Sequence, residues 1–187
     1  MAFLSSNDLK KIGFKSLGID VKISTRAVIY NPSNIEIGDH SRIDDFCVLS
    51  AGDGGIKIGR YVHIAVYCSL IGKNRIELKD FSGLSSKVAI YSSTDDYSGK
   101  YLTNPTVPDS YTNVINGDVY LGEHVIVGVG ACILPNVSIE KGSAIGAFSL
   151  VTKSIEESKI AVGVPAKAVK DRSRRLFELE KELKIKL

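Results

Sequence analysis

Three histidines, His40, His63 and His124, are the side chains of this sequence best suited to move a proton near neutral pH or to hold a metal. Zinc would need ligands converging at about 2.0–2.1 Å, and no His-x4-His pair or comparable spacing brings these three together. Three cysteines, Cys47, Cys68 and Cys132, are an odd number and also lack metal-ligand spacing. Free thiols of that kind fit a reduced cytoplasm. Two adjacent carboxylates, Asp95 and Asp96, open a polar stretch, and the segment 162–167 reads VGVPAK, a turn sequence followed by a cation. Each signal is weak alone. Their meaning depends on the elements that carry them.

Those elements are announced by a six-residue period. From residue 119 the chain divides into VYLGEH, VIVGVG, ACILPN, VSIEKG, SAIGAF and SLVTKS. The third place is always aliphatic (Leu121, Val127, Ile133, Ile139, Ile145, Val151), and the first is small or β-branched (Val119, Val125, Ala131, Val137, Ser143, Ser149). Upstream the same phase gives triplets: Ile37, Ile43 and Leu49; Ile58, Ile64 and Leu70; Leu78, Leu84 and Ile90. Their first places are Ile35, Ser41, Cys47; Ile56, Val62, Cys68; and Ile76, Ser82, Val88. Grouping by three makes one turn of a triangular coil, each unit being a flat side plus a corner. Side chains alternate inward and outward along each side, and glycines such as Gly38, Gly59, Gly122, Gly128 and Gly146 suit the corners. A coil cannot bury its face alone, so stacking supplies stability. The fold class is therefore all-β, a parallel β-helix, with Cys47 above or below Cys68 as core packing.

The chain of 187 residues is 44% hydrophobic and 24% charged, with no Trp, one Met and 17 Gly, consistent with one globular domain of short strands. The net charge of +3 decides nothing, but no stretch reads as a nucleic-acid motif and the basic residues are scattered outside the C-terminal segment, which argues against nucleic-acid binding. The longest apolar run, residues 125–134, is far short of a membrane span of about 20 residues, and the first thirteen residues lack the apolar core of a signal peptide. Residues 1–20 read as a helical segment with Ile23 and Ile29 beginning an incomplete first coil, and 21–168 as the β-helix. An insertion, the loop 91–118, carries Tyr91, Tyr97, Tyr101 and Tyr111, which argue for an ordered arm reaching a neighbour. Residues 169–187 read as a C-terminal helix, with Leu176, Leu179, Leu183 and Leu187 near helical spacing, capping the open end of the prism.

With coils, arm and VGVPAK together, the chain resembles the galactoside and maltose O-acetyltransferase branch of the hexapeptide acyltransferases, including enzymes that modify sugars of bacterial surface polysaccharides. The resemblance covers roughly residues 20–170. It implies a left-handed coil, a homotrimer with sites between prisms, acetyl-CoA as co-substrate, no metal, and a sugar or nucleotide-linked sugar as acceptor. It also implies that the pantetheine arm lies near Gly128, Gly130, Gly146 and Ala147. Val164 and Pro165 would then hold the adenine end, and Lys153 or Lys167 would face a phosphate as a point charge.

In that branch a histidine at the root of the arm deprotonates the sugar hydroxyl. Here that stretch is VAIYSSTDD, with Asp95 at the histidine's place, and the usual asparagine partner appears as Phe81. His63 is one replacement: it precedes inward Ile64, so it points outward, and Gly83 one coil above leaves room for a molecule beside it. Asp95 or Asp96 is another, and no base at all is a third. A positioned base is typically worth about 10²–10⁴ in rate, whereas a carboxylate near pKa 3.9 is poor at this task unless burial raises it. A neutral amine attacks a thioester unaided, so the missing histidine turns attention to an amino sugar. Gly83, Tyr91 and Tyr97 are the candidate acceptor contacts. Two competing readings are an inactive trimeric scaffold and a zinc enzyme of the γ-carbonic anhydrase kind, for which His40, His63 and His124 fall in unsuitable columns.

Overall fold

The computed structural model describes residues 2–186, with side chains through residue 183. The six-residue period becomes three parallel sheets that close a triangular, left-handed parallel β-helix of about seven coils. The first face stacks Ser16–Leu17, Ile35–Ile37, Ile56–Ile58, Ile76–Leu78, Val119–Leu121 and Val137–Ile139. The second begins at Lys22–Ile23 and runs through Arg42–Ile43, His63–Ile64, Gly83–Leu84, Ile126–Val127 and Ala144–Ile145. The third runs from Val28–Tyr30 through Val48–Ala51, Ser69–Gly72, Ala89–Tyr91 and Cys132–Ile133 to Leu150–Val151.

Every third-place aliphatic from Ile37 to Val151 is buried, and so is every first-place residue, the serines included. Burying a side chain of this size contributes about 1.5–3 kcal/mol, and identical columns let each coil seal the next. Cys47 and Cys68 lie in one column, donating to the carbonyls of Ala65 and Ser85 at 3.0 and 3.1 Å. The contact with Cys47 and its own burial push the Cys68 thiol up, so it remains a protonated core group.

One corner is built without glycine. His40, Tyr61, Phe81 and His124 all adopt φ between 56 and 60°, a region costly for side chains with a Cβ. Their rings stack at 4.8–5.0 Å between centroids, and Phe177 closes the column edge-on against His124. Aromatic contacts of this kind contribute about 0.5–1.5 kcal/mol each, which offsets the backbone cost.

Both ends depart from the sequence reading. Helix α1 is short, Ser6–Ile12, capped by Ser5 and ended by Gly13 at φ 81°, and it buries Leu9 under the first coil. Residues 16–17 already pair with the next coil, so the first coil is complete, with Leu17 joining Ile23 and Ile29. At the other end the segment read as helix from 169 is strand as far as Asp171. Lys159–Gly163 adds to the second face, and Ala166–Asp171 returns antiparallel against it, because the coil's exposed edge offers unpaired backbone groups. Helix α2, Arg175–Lys186, follows. Arg172 fastens the junction, donating to the carbonyls of His124, Gly142 and Ser143 at 2.9–3.2 Å. Leu187 lies outside the described residues.

The arm leaves after the third-face strand Ala89–Tyr91 and re-enters at Val119. Its root is a short antiparallel ladder, Ser93–Thr94 against Ile115–Asn116. Coils on either side still pair directly, Leu78 with Leu121, Gly83 with Ile126 and Ile90 with Ile133.

Candidate active site

The second face carries His63, the outward histidine that the sequence offers as a base. His63 precedes inward Ile64, so its ring projects outward and its side chain is 54% exposed. Directly above, Gly83 pairs with it. A Cβ built on Gly83 would meet nothing nearer than the His63 carbonyl at 4.0 Å, so the missing side chain leaves open space. His63, Ala65, Gly83, Ser85, Ser86 and Ile126 border an open cleft of about 270 Å³. Below His63, the carboxylate of Asp44 reaches its Nε2 at 2.9 Å and accepts from Arg42 Nε at 2.6 Å.

If the cleft holds substrate, Gly83→Val is the sharpest probe. The strand geometry admits a β-branched residue, so the thermal midpoint should hold. The isopropyl group would fill the cleft, and turnover should fall by about 10²-fold through displaced substrate. Wild-type kcat/KM in that variant would place the reaction elsewhere.

The other two histidines are structural. His40 and His124 belong to the stacked corner, and His124 Nε2 lies 2.6 Å from Glu180 of α2. Phe81, which stands where an asparagine was expected, is a ring of the same stack. Among the described residues no three His, Cys, Asp or Glu side chains gather as a metal site would need.

The two arm carboxylates differ. Asp96 is tied into the arm, accepting from Ser98 N, Ser98 Oγ and Asn113 Nδ2, and the Ser98 hydroxyl first among these holds its carboxyl below the usual range. That makes it a weaker base still. Asp95, half-buried, has no hydrogen-bond or ionic partner among the described residues. The arm springs from the corner between the third and first faces, which lies opposite the second face. Within one chain, then, the arm root and His63 stand on opposite sides of the prism. Tyr91 ends its strand half-buried beside Ile71, while Tyr97 is 90% exposed, and Tyr101, Leu102, Tyr111, Val114 and Ile115 are exposed with it.

The residues assigned to the coenzyme fall at the C-terminal coils. Gly128 sits under Ala147, where a Cβ would come within 2.5 Å of backbone, so packing alone requires this glycine. Gly130 has φ 68° and lies beneath the ring of Phe148. Gly146 abuts Val162, so the glycine corner and the hairpin meet. Val164 and Pro165 form the hairpin tip, and Lys167, exposed, pairs in register with Val162. Lys153 is exposed just past the third-face strand Leu150–Val151, away from that hairpin pairing. Sequence reasoning missed Asp44 and Arg42. The signal was present in the doublet Asp44–Asp45 one coil below a histidine, but an acid beside a corner reads as surface.

No family model matches the chain. The chain is 51% identical over 184 residues to a dTDP-4-amino-4,6-dideoxy-D-glucose acyltransferase of Escherichia coli, covering 98% of this chain and 96% of that one. A variant of AntD, an N-acyltransferase from Bacillus cereus solved with dTDP-4-amino-4,6-dideoxyglucose and coenzyme A, superimposes with TM-score 0.96 at 46% identity, covering 100% and 99% of the two chains. AntD has also been solved with dTDP and 3-hydroxybutyryl-CoA. A maltose O-acetyltransferase from Clostridium difficile, 23% identical with TM-score 0.61 over 90% of this chain and 75% of its own, shares the fold alone.

Proposed function

The chain belongs to the hexapeptide-repeat sugar acyltransferases, and on that footing we propose that it acylates the 4-amino group of a dTDP-4-amino-4,6-dideoxy sugar. Acetyl-CoA is the donor we expect. The observation that carries the choice of acceptor is the end-to-end match to an enzyme of that name, 51% identical over 98% of this chain. Chemistry agrees with it, because residues 91–118 contain no histidine to deprotonate a hydroxyl, and an amine has less need of one.

In this reading the amine nitrogen attacks the thioester carbonyl, the C–N bond forms, and the C–S bond breaks as the tetrahedral intermediate collapses. His63 accepts the proton that the nitrogen must lose, and a proton ends on the departing sulfur. Asp95 orients the amine, and Gly83 leaves the space in which the sugar sits. The glycine corner and the hairpin around Pro165 hold the coenzyme.

The protein works as a homotrimer in this account, each site joining the His63 face of one copy to the arm of the next. The arm's placement opposite that face and its exposed tyrosines support this. A cytoplasmic location goes with it, supported by three free cysteines. No helix among the described residues is long and apolar enough to cross a membrane.

The test is turnover of dTDP-4-amino-4,6-dideoxyglucose with acetyl-CoA and, in parallel, 3-hydroxybutyryl-CoA. Saturable thiol release with one acyl group gained on nitrogen is expected. Equal activity on the 4-hydroxy sugar, or none on the amine with either donor, would overturn the assignment.

A further inference from the structure

Asp44 is the most buried carboxylate of the second face, its side chain only 7% exposed, and both oxygens are engaged. Oδ1 accepts from Arg42 Nε at 2.6 Å, and Oδ2 lies 2.9 Å from His63 Nε2. Arg42 and His63 are register partners on successive coils, and Arg42 is itself packed over the Phe3 ring at 5.3 Å. The carboxylate is thus held between the guanidinium and the imidazole. The nearby acid Asp45 is engaged elsewhere, by Ser24 and Arg26, so it does not compete for His63.

We propose that Asp44 is a positioning residue that fixes the tautomer of His63. A carboxylate only accepts hydrogen bonds, so the proton of a neutral imidazole must sit on Nε2. Nδ1 is then left as the acceptor for a proton arriving from the open side of the ring. The nitrogen that does not face the site determines what the other can do, and a clamped carboxylate keeps the ring from flipping between roles. Arg42 serves the arrangement by holding the carboxylate in place.

This rests on His63 being the base proposed above, and the experiment separates the two claims. Nitrogen-15 spectra of histidine-labelled protein should show His63 with its proton on Nε2; a proton on Nδ1 overturns the proposal without any variant. Asp44→Asn should lower kcat by about 10–100-fold with KM for both substrates unchanged, and its His63 signal should shift toward a mixture of tautomers. In a His63→Ala background the same substitution should cost nothing more. An equal loss in both backgrounds would make Asp44 merely structural, leaving His63 as base intact. Full activity of His63→Ala would instead defeat the base, and the positioning role with it.

Discussion

Replacing His63 by alanine is expected to lower kcat by about 10²–10⁴-fold while coenzyme A still stabilises the protein thermally. The ring projects outward from the coil and is half-exposed, so its loss should leave the fold intact. Binding of coenzyme A depends in this account on the glycine corner and hairpin two to four coils away. Stabilisation by bound ligand follows RT ln(1 + [L]/Kd), so a retained shift of the thermal midpoint with lost turnover isolates the chemical step. A variant that turns over normally would remove His63 from the reaction and leave Asp95 as the remaining candidate.

Mixing two inactive variants should restore activity. His63→Ala and Asp95→Ala damage opposite sides of the prism, and Asp95→Ala alone should cost about 10²-fold through a misplaced amine. In a cyclic trimer built from both chains, one of the three junctions brings an intact His63 face to an intact arm. Three quarters of randomly assembled trimers contain both chains, so about one quarter of wild-type activity is expected after co-refolding an equal mixture. If both residues acted within one chain, no mixture would exceed its parents. Measuring thiol release against mixing ratio decides between them.

The interior of this protein could be read directly from its residues. Leu121, Val127, Ile133, Ile139, Ile145 and Val151 recur every six places because one geometric slot recurs, and all six are buried. The outward position of His63 and its pairing with Gly83 followed from the same count. Corners were less legible. Phe81 looked like a lost catalytic partner, whereas it is one ring of a stack whose other members lie some twenty or more residues away in sequence. The hairpin that ends at Asp171 was hidden because pairing to an exposed edge leaves no periodic signature; Val169 and its charged neighbours fit a helix equally well. Asp44 was invisible for a different reason. The role proposed for it rests on contacts that bridge two coils, and a sequence holds no measure of which acid beside a corner is enclosed.

The coils before and after the arm pair as though nothing intervened, Ile76 with Val119 and Ala89 with Cys132. Lengthening such a loop adds little free-energy cost, since closure entropy grows only logarithmically. Descent with modification can therefore rewrite much of residues 91–118 around Asp95 while the stacked coils on either side are inherited unchanged. Families built on this plan should diversify fastest at that single seam.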